Sequence, residues 1–98
     1  MDVVENCAAD FLAALPTLEL SYPKLTLPDL LVIWLSKDDF ANLSCLAANY
    51  LFYLRLVVLV LLDSRAQALV QRTISPEAFS QSAFDAIVTS RKTLWQNV

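Results

Sequence analysis

The sequence predicts an all-α protein, a small bundle of four or five helices with a strongly apolar central helix, and three observations carry that prediction. The chain contains no glycine, and the two-residue turns of β-hairpins favour glycine at positive φ. Near both ends of the chain, apolar residues recur at spacings of three and four, the signature of a helix with one buried face. Between them, neither proline nor glycine interrupts the chain from Lys37 through Ile74, so nothing there breaks a long helix.

The first helix spans residues 2–15. Val4, Cys7, Ala8, Phe11, Leu12 and Leu15 form its stripe, Asp2, Glu5, Asn6 and Asp10 fall between them, and Pro16 stands where the periodicity ends. From 16 to 26 the spacing becomes two, with Leu18, Leu20 and Tyr22 alternating with polar residues and Pro23 following. This predicts an extended connector lying against the core, with a short edge strand as the alternative. Thr26 caps a second helix over 27–35, with Pro28 and Asp29 in its first turn. Its run Leu30 to Leu35 is apolar on nearly all sides and short enough to be a buried strand instead.

Ser36-Lys37-Asp38-Asp39 resembles a capping box and opens a helix over 37–72, either continuous or broken near Ser44 or near Asp63 and Ser64. Ser75-Pro76-Glu77 combines a capping serine, a first-position proline and a first-turn acid, and so starts the last helix at 76, running to 96. Phe79, Ala83, Phe84, Ile87, Val88, Leu94 and Trp95 give that helix its stripe.

The 98 residues bound the chain to one domain, and a domain of this size buries only about two-thirds of the surface its unfolded form exposes. Yet 57% of the residues are hydrophobic, against about 45–50% in ordinary domains. The surplus calls for a cover, either another protein chain or a membrane.

Composition also removes function classes. Without glycine there is no phosphate-cradling or dinucleotide-binding loop. Without histidine there is no Ser-His or Cys-His nucleophile pair, and Cys7 and Cys45 alone cannot complete a zinc site. Asp38 and Asp39 are adjacent, so on a helix they diverge by about 100° and form no facing pair. Asn42-Leu43-Ser44 matches a glycosylation acceptor by coincidence, within a predicted helix. The reading is therefore no enzyme, no metal and no cofactor. Both cysteines sit among apolar residues and read as reduced, buried thiols of an intracellular, cytoplasmic protein.

Charge is split along the chain. Residues 1–50 hold seven acids and two lysines, about −5, while residues 51–98 hold three acids and five basic groups, about +2. Opposite halves attract within a fold or between subunits. The basic residues form no dense run, which argues against nucleic acid.

Cys45 through Leu62 is the most apolar stretch, with Asn49 and Arg55 its strongly polar members. It is long enough to suggest a membrane helix, but Arg55 near its middle would cost about 2.5–3.5 kcal/mol there. A buried helix of a bundle or oligomer is preferred, and a membrane-associated protein with 45–62 inserted is the alternative. No acid stands three or four residues from Arg55. If buried, it must reach one elsewhere, with Asp10 and Asp29 the candidates; otherwise its stem covers apolar surface and its head stays in water. These features predict a non-catalytic interaction module, an oligomerisation or adaptor domain. Its partner is itself, as a homodimer, with another chain possible, and its candidate interface residues are Trp34, Tyr50, Phe52, Tyr53, Arg55 and Trp95.

Overall fold

The structure, a computed structural model, describes residues 3–35, 50–73 and 75–96, with the backbone alone at 76 and 90–96. The described residues contain five α-helices: α1 Val3–Ser21, α2 Leu27–Leu35, α3 Tyr50–Leu62, α4 Gln67–Val70 and α5 Gln81–Gln96. Single 3-10 turns lie at Ser64–Ala66 and Pro76–Phe79, and there is no strand among these residues. The protein is all-α. The capping box at Ser36 to Asp39, Asn42, the alternative break at Ser44, and Cys45 lie outside the described residues.

α1 buries Val4, Cys7, Ala8, Phe11, Leu12 and Leu15 along one stripe, and Leu18 extends it. The helix does not end at Leu15, and residues 16–21 are not an extended connector: Pro16 lies inside α1, which continues to Ser21. An interior proline costs about 3 kcal/mol because it removes a backbone donor and crowds the preceding turn. Pro16 is on the exposed side, where water can take the orphaned carbonyl, and continuing the helix seals Leu18 in the core. The alternation that suggested extended chain therefore resolves at the helical period. Leu18 points in, while Leu20 is 85% exposed and Tyr22 lies at the surface, correcting the expectation that all three cover the core.

The connector shrinks to residues 22–26, closed by Tyr22 N–H donating to the Leu18 carbonyl (2.9 Å) and Leu25 N–H to the Tyr22 carbonyl (3.3 Å). Thr26 then starts α2. Its carbonyl accepts from Leu30 N–H at 3.0 Å, and its hydroxyl donates to the Asp29 carboxylate at 2.8 Å. Leu27, Pro28, Leu30, Leu31 and Leu35 are buried, so this short helix is held by packing rather than by its own length.

Asp63 stops α3. Its backbone is extended (φ −81°, ψ 136°) and its side chain caps the next turn by accepting from Arg65 N–H. Among the two breaks weighed for 37–72, the one near Asp63 and Ser64 occurs. At the far end, the last α-helix starts five residues later than residue 76. Pro76–Phe79 forms a 3-10 turn that buries Phe79, Ser75 makes no side-chain cap, and Ser80 is extended (φ −77°, ψ 172°). α5 opens with Phe84 N–H donating to the Ser80 carbonyl at 3.2 Å.

α1 packs most extensively on α3 and also on α2, and α5 closes the bundle against α2 and α3. One core results, reaching from Val4 and Phe11 through Leu30 and Leu31 to Leu56, Val60, Leu69, Phe84 and Ile87. The Cα radius of gyration, 12.8 Å, matches the roughly 13 Å of a folded chain this long.

Candidate interaction surface

α3 is YLFYLRLVVLVLL, with one charged residue in thirteen. Hydrophobicity alone cannot tell such a helix which side to bury. The fold buries Tyr53, Leu56, Val57 and Val60. Tyr53 and Phe84 rings meet at 5.4 Å, Tyr50 and Phe84 at 5.3 Å, and Tyr50 stacks on Tyr53 at 6.1 Å. Burial, and then the neighbouring Tyr50, pushes the Tyr53 hydroxyl up to about 12, so it stays neutral in the core.

The opposite side of α3 carries Leu51 (69% exposed), Leu54 (37%), Val58 (54%) and Leu62 (76%). Projected at 100° per residue, these four fall within an arc of about 80°, and they run about 16 Å along the axis. Spacings of three and four are those of a helix–helix seam. Arg55 borders this stripe and is itself exposed, its guanidinium 5.9 Å from the centre of the Phe52 ring, within the range of a cation–π contact. Arg55 is therefore not buried but lies at the surface.

Beyond Arg55, on the same edge, an open groove of about 180 Å³ separates α3 from α1. Glu5, Ala8, Ala9 and Leu12 form one wall, and Leu59, Asp63 and Arg65 the other. Asp63 Oδ1 accepts from Arg65 N–H (2.8 Å) and Nε (2.9 Å), and Oδ2 accepts from Nη2 (2.9 Å). These bonds from Arg65 hold the Asp63 carboxyl down at about 2, so Asp63 stays charged throughout the physiological range.

Of the six residues singled out from sequence, Tyr50, Phe52, Tyr53 and Arg55 share α3 but not a face. Tyr53 is 2% exposed and belongs to the core, Tyr50 and Phe52 are half-buried, and Arg55 is outside. Trp34 is half-buried, edge-on to Phe11 at 5.5 Å, where it serves the fold's own packing. Trp95 lies on α5, with its side chain outside the described residues. Sequence reasoning missed the outward set Leu51, Leu54, Val58 and Leu62, because no polar residue opposite marked it. It also missed Arg72, which ties the exit of α4 to the end of α1. Arg72 Nη1 donates to the Pro23 carbonyl at 2.7 Å, and Nη2 lies 3.3 Å from Glu19 Oε1.

Among the described residues no group of histidine, cysteine, aspartate or glutamate is arranged to hold a metal ion. No helix among them is long and apolar enough to cross a membrane. Compared with known protein families, curated proteins and solved structures, the chain shows no significant match.

Proposed function

We propose that this protein is a non-catalytic interaction module, an oligomerisation domain acting in the cytoplasm, and that the outer face of α3 is where a second copy docks. The observation that carries the reading is the stripe of Leu51, Leu54, Val58 and Leu62, left exposed while the described residues form one core without it. A folded chain rarely keeps a contiguous apolar stripe in water without a partner for it.

Magnitudes support weak, reversible association. Fully burying a leucine or valine side chain is worth about 1.5–3 kcal/mol, so the exposed fractions of these four residues leave roughly 3.5–7 kcal/mol per copy to be gained. Two such stripes together roughly match the 4–15 kcal/mol that association costs. Where the two cancel, hydrophobic contact leaves little net affinity of its own, and further strength has to come from polar contacts beside the stripe. An adaptor function, with a different chain on the same face, follows if the partner's stripe has the same spacing.

Sedimentation velocity across a concentration series tests the reading. The wild-type protein should reach the mass of a dimer at about 100 μM or above, and Val58→Asp, a change at an exposed position, should remain a monomer with an unaltered far-UV circular dichroism spectrum. A wild-type chain that stays monomeric at several hundred micromolar overturns it.

A further inference from the structure

Arg55 and the groove between α3 and α1 form the two halves of a charge-matched joint along one edge of α3. Arg55 borders the apolar stripe, and Leu59, one turn on along the same edge, lines the groove that also holds Glu5 and Asp63. When two copies of a helix pair about a two-fold axis perpendicular to them, they run antiparallel, and like edges face each other. An axis beside Val58, near the middle of the stripe, sets Arg55 opposite position 61 of the other copy, between Leu59 and Asp63 and within about 3 Å along the axis of the latter. The register that best overlaps the two stripes is thus the register that brings Arg55 to the groove. Parallel pairing would instead set unlike edges against each other, with Arg55 of one copy on the opposite side of the seam from the groove of the other and about 12 Å from it along the axis.

The groove is suited to receive a guanidinium. A carboxylate accepts about four hydrogen bonds, and Asp63 takes three, all from Arg65, leaving a place on Oδ2. Glu5 stands on the opposite wall, lined by the small side chains Ala8 and Ala9. The net charge of the groove residues is negative, since Glu5 and Asp63 outnumber Arg65.

We propose that α3 forms the interface of an antiparallel two-fold homodimer, in which Arg55 of each copy enters the groove between α1 and α3 of the other and meets Glu5 and Asp63. This rests on the reading of the α3 face as a self-docking surface and adds what selects the partner and its direction. The apolar stripe supplies a contact that many helices could make. The arginine and the acidic groove restrict it to a chain that carries both, twice over, at the right spacing.

A charge-swap experiment on the full chain tests the arrangement. Arg55→Glu alone and Glu5→Arg alone should each weaken the dimer by about tenfold or more in sedimentation equilibrium, since each places like charges in both grooves. An equimolar mixture of the two variants should recover a heterodimer within about threefold of wild type. In that heterodimer one joint pairs the two substituted side chains, acid against base with the signs exchanged, and the other joint pairs the native Arg55 with the native Glu5. Circular dichroism melts of the separate variants verify that both are folded. If Val58→Asp dissociates the dimer but Arg55→Glu does not, or if the mixture stays as weak as its components, the stripe remains the interface and the antiparallel joint is overturned. If wild type itself is monomeric, the self-docking reading fails, and this arrangement with it.

Discussion

α1 and α3 are the two helices in closest association, and they meet the solvent in opposite ways. The outer side of α1 shows Glu5, Asn6, Asp10 and Thr17 among small Ala9 and Ala13, with exposed Val3 and Leu20 confined to its two ends. The outer side of α3 shows Leu51, Leu54, Val58 and Leu62, interrupted by Arg55. In α1 the polar residues mark the wet side before the chain folds. In α3 a leucine facing in and a leucine facing out differ only in what the rest of the fold places next to them. α1 is therefore specified by its own pattern, whereas α3 is oriented by shape, with Tyr53, Leu56, Val57 and Val60 fitting the space between α1 and α5. A helix so chosen keeps a second apolar face exposed.

The sharpest way to break this comparison is to shorten one residue on each side of α3. Leu56→Ala, at a fully buried site, should cost about 2–5 kcal/mol through lost transfer energy and the cavity left behind. Val58→Ala, two residues away, should stay within about 0.5 kcal/mol. Both belong in urea melts below the dimer's dissociation constant, so that association does not add to stability. Equal losses would show that α3 is covered on both sides within one chain.

Pro16 sharpens the same contrast from α1. If its stripe, continued through Leu18, holds the helix together in spite of the proline, Pro16→Ala should raise stability by about 1–3 kcal/mol, since alanine is the better helix residue by about 3 kcal/mol. A lowered urea midpoint would mean that the ring is needed where it stands.

The smallest effect concerns Asp63, where α3 ends. Its folded pKa, about 2, lies below the ordinary value of 3.8. The charged form is thus favoured by folding, and its contribution is complete above about pH 4 and is lost as pH falls toward 2. Because the group is at the surface, the loss should be slight, and Asp63→Asn should flatten this part of the stability–pH curve. An unchanged slope between pH 4 and pH 2 in the variant would remove Asp63 from the account.

Much of the fold was legible because periodicity and capping are local. The stripe from Val4 to Leu15 lies buried as the spacing implies, and Thr26 begins α2 where a hydroxyl precedes an apolar run. Legibility failed where a local rule met a distant contact. Pro16 should end a helix by its own chemistry, but burial of Leu18 carried α1 onward. Ser75-Pro76-Glu77 has the composition of a helix start, but a 3-10 turn that buries Phe79 forms there and the α-helix begins only at Gln81. Arg72 bonds to residues 49 and 53 positions away, a pairing with no local signature.

By itself the sequence determined the helical class, through the absence of glycine and the spacing of apolar residues, and it set the hydrophobic share at 57%, above the ordinary range. It also marked the stretch around Arg55 as the most apolar of the chain. Which side of the stretch remains outside was decided by the tertiary structure alone. Along an almost uniformly apolar helix every orientation buries similar hydrophobic area, so selection passes to side-chain shape and to neighbours brought from elsewhere in the chain. The same packing moved Tyr53 from candidate interface to core and left Arg55 beside a groove whose acids, Glu5 and Asp63, are 58 residues apart in sequence.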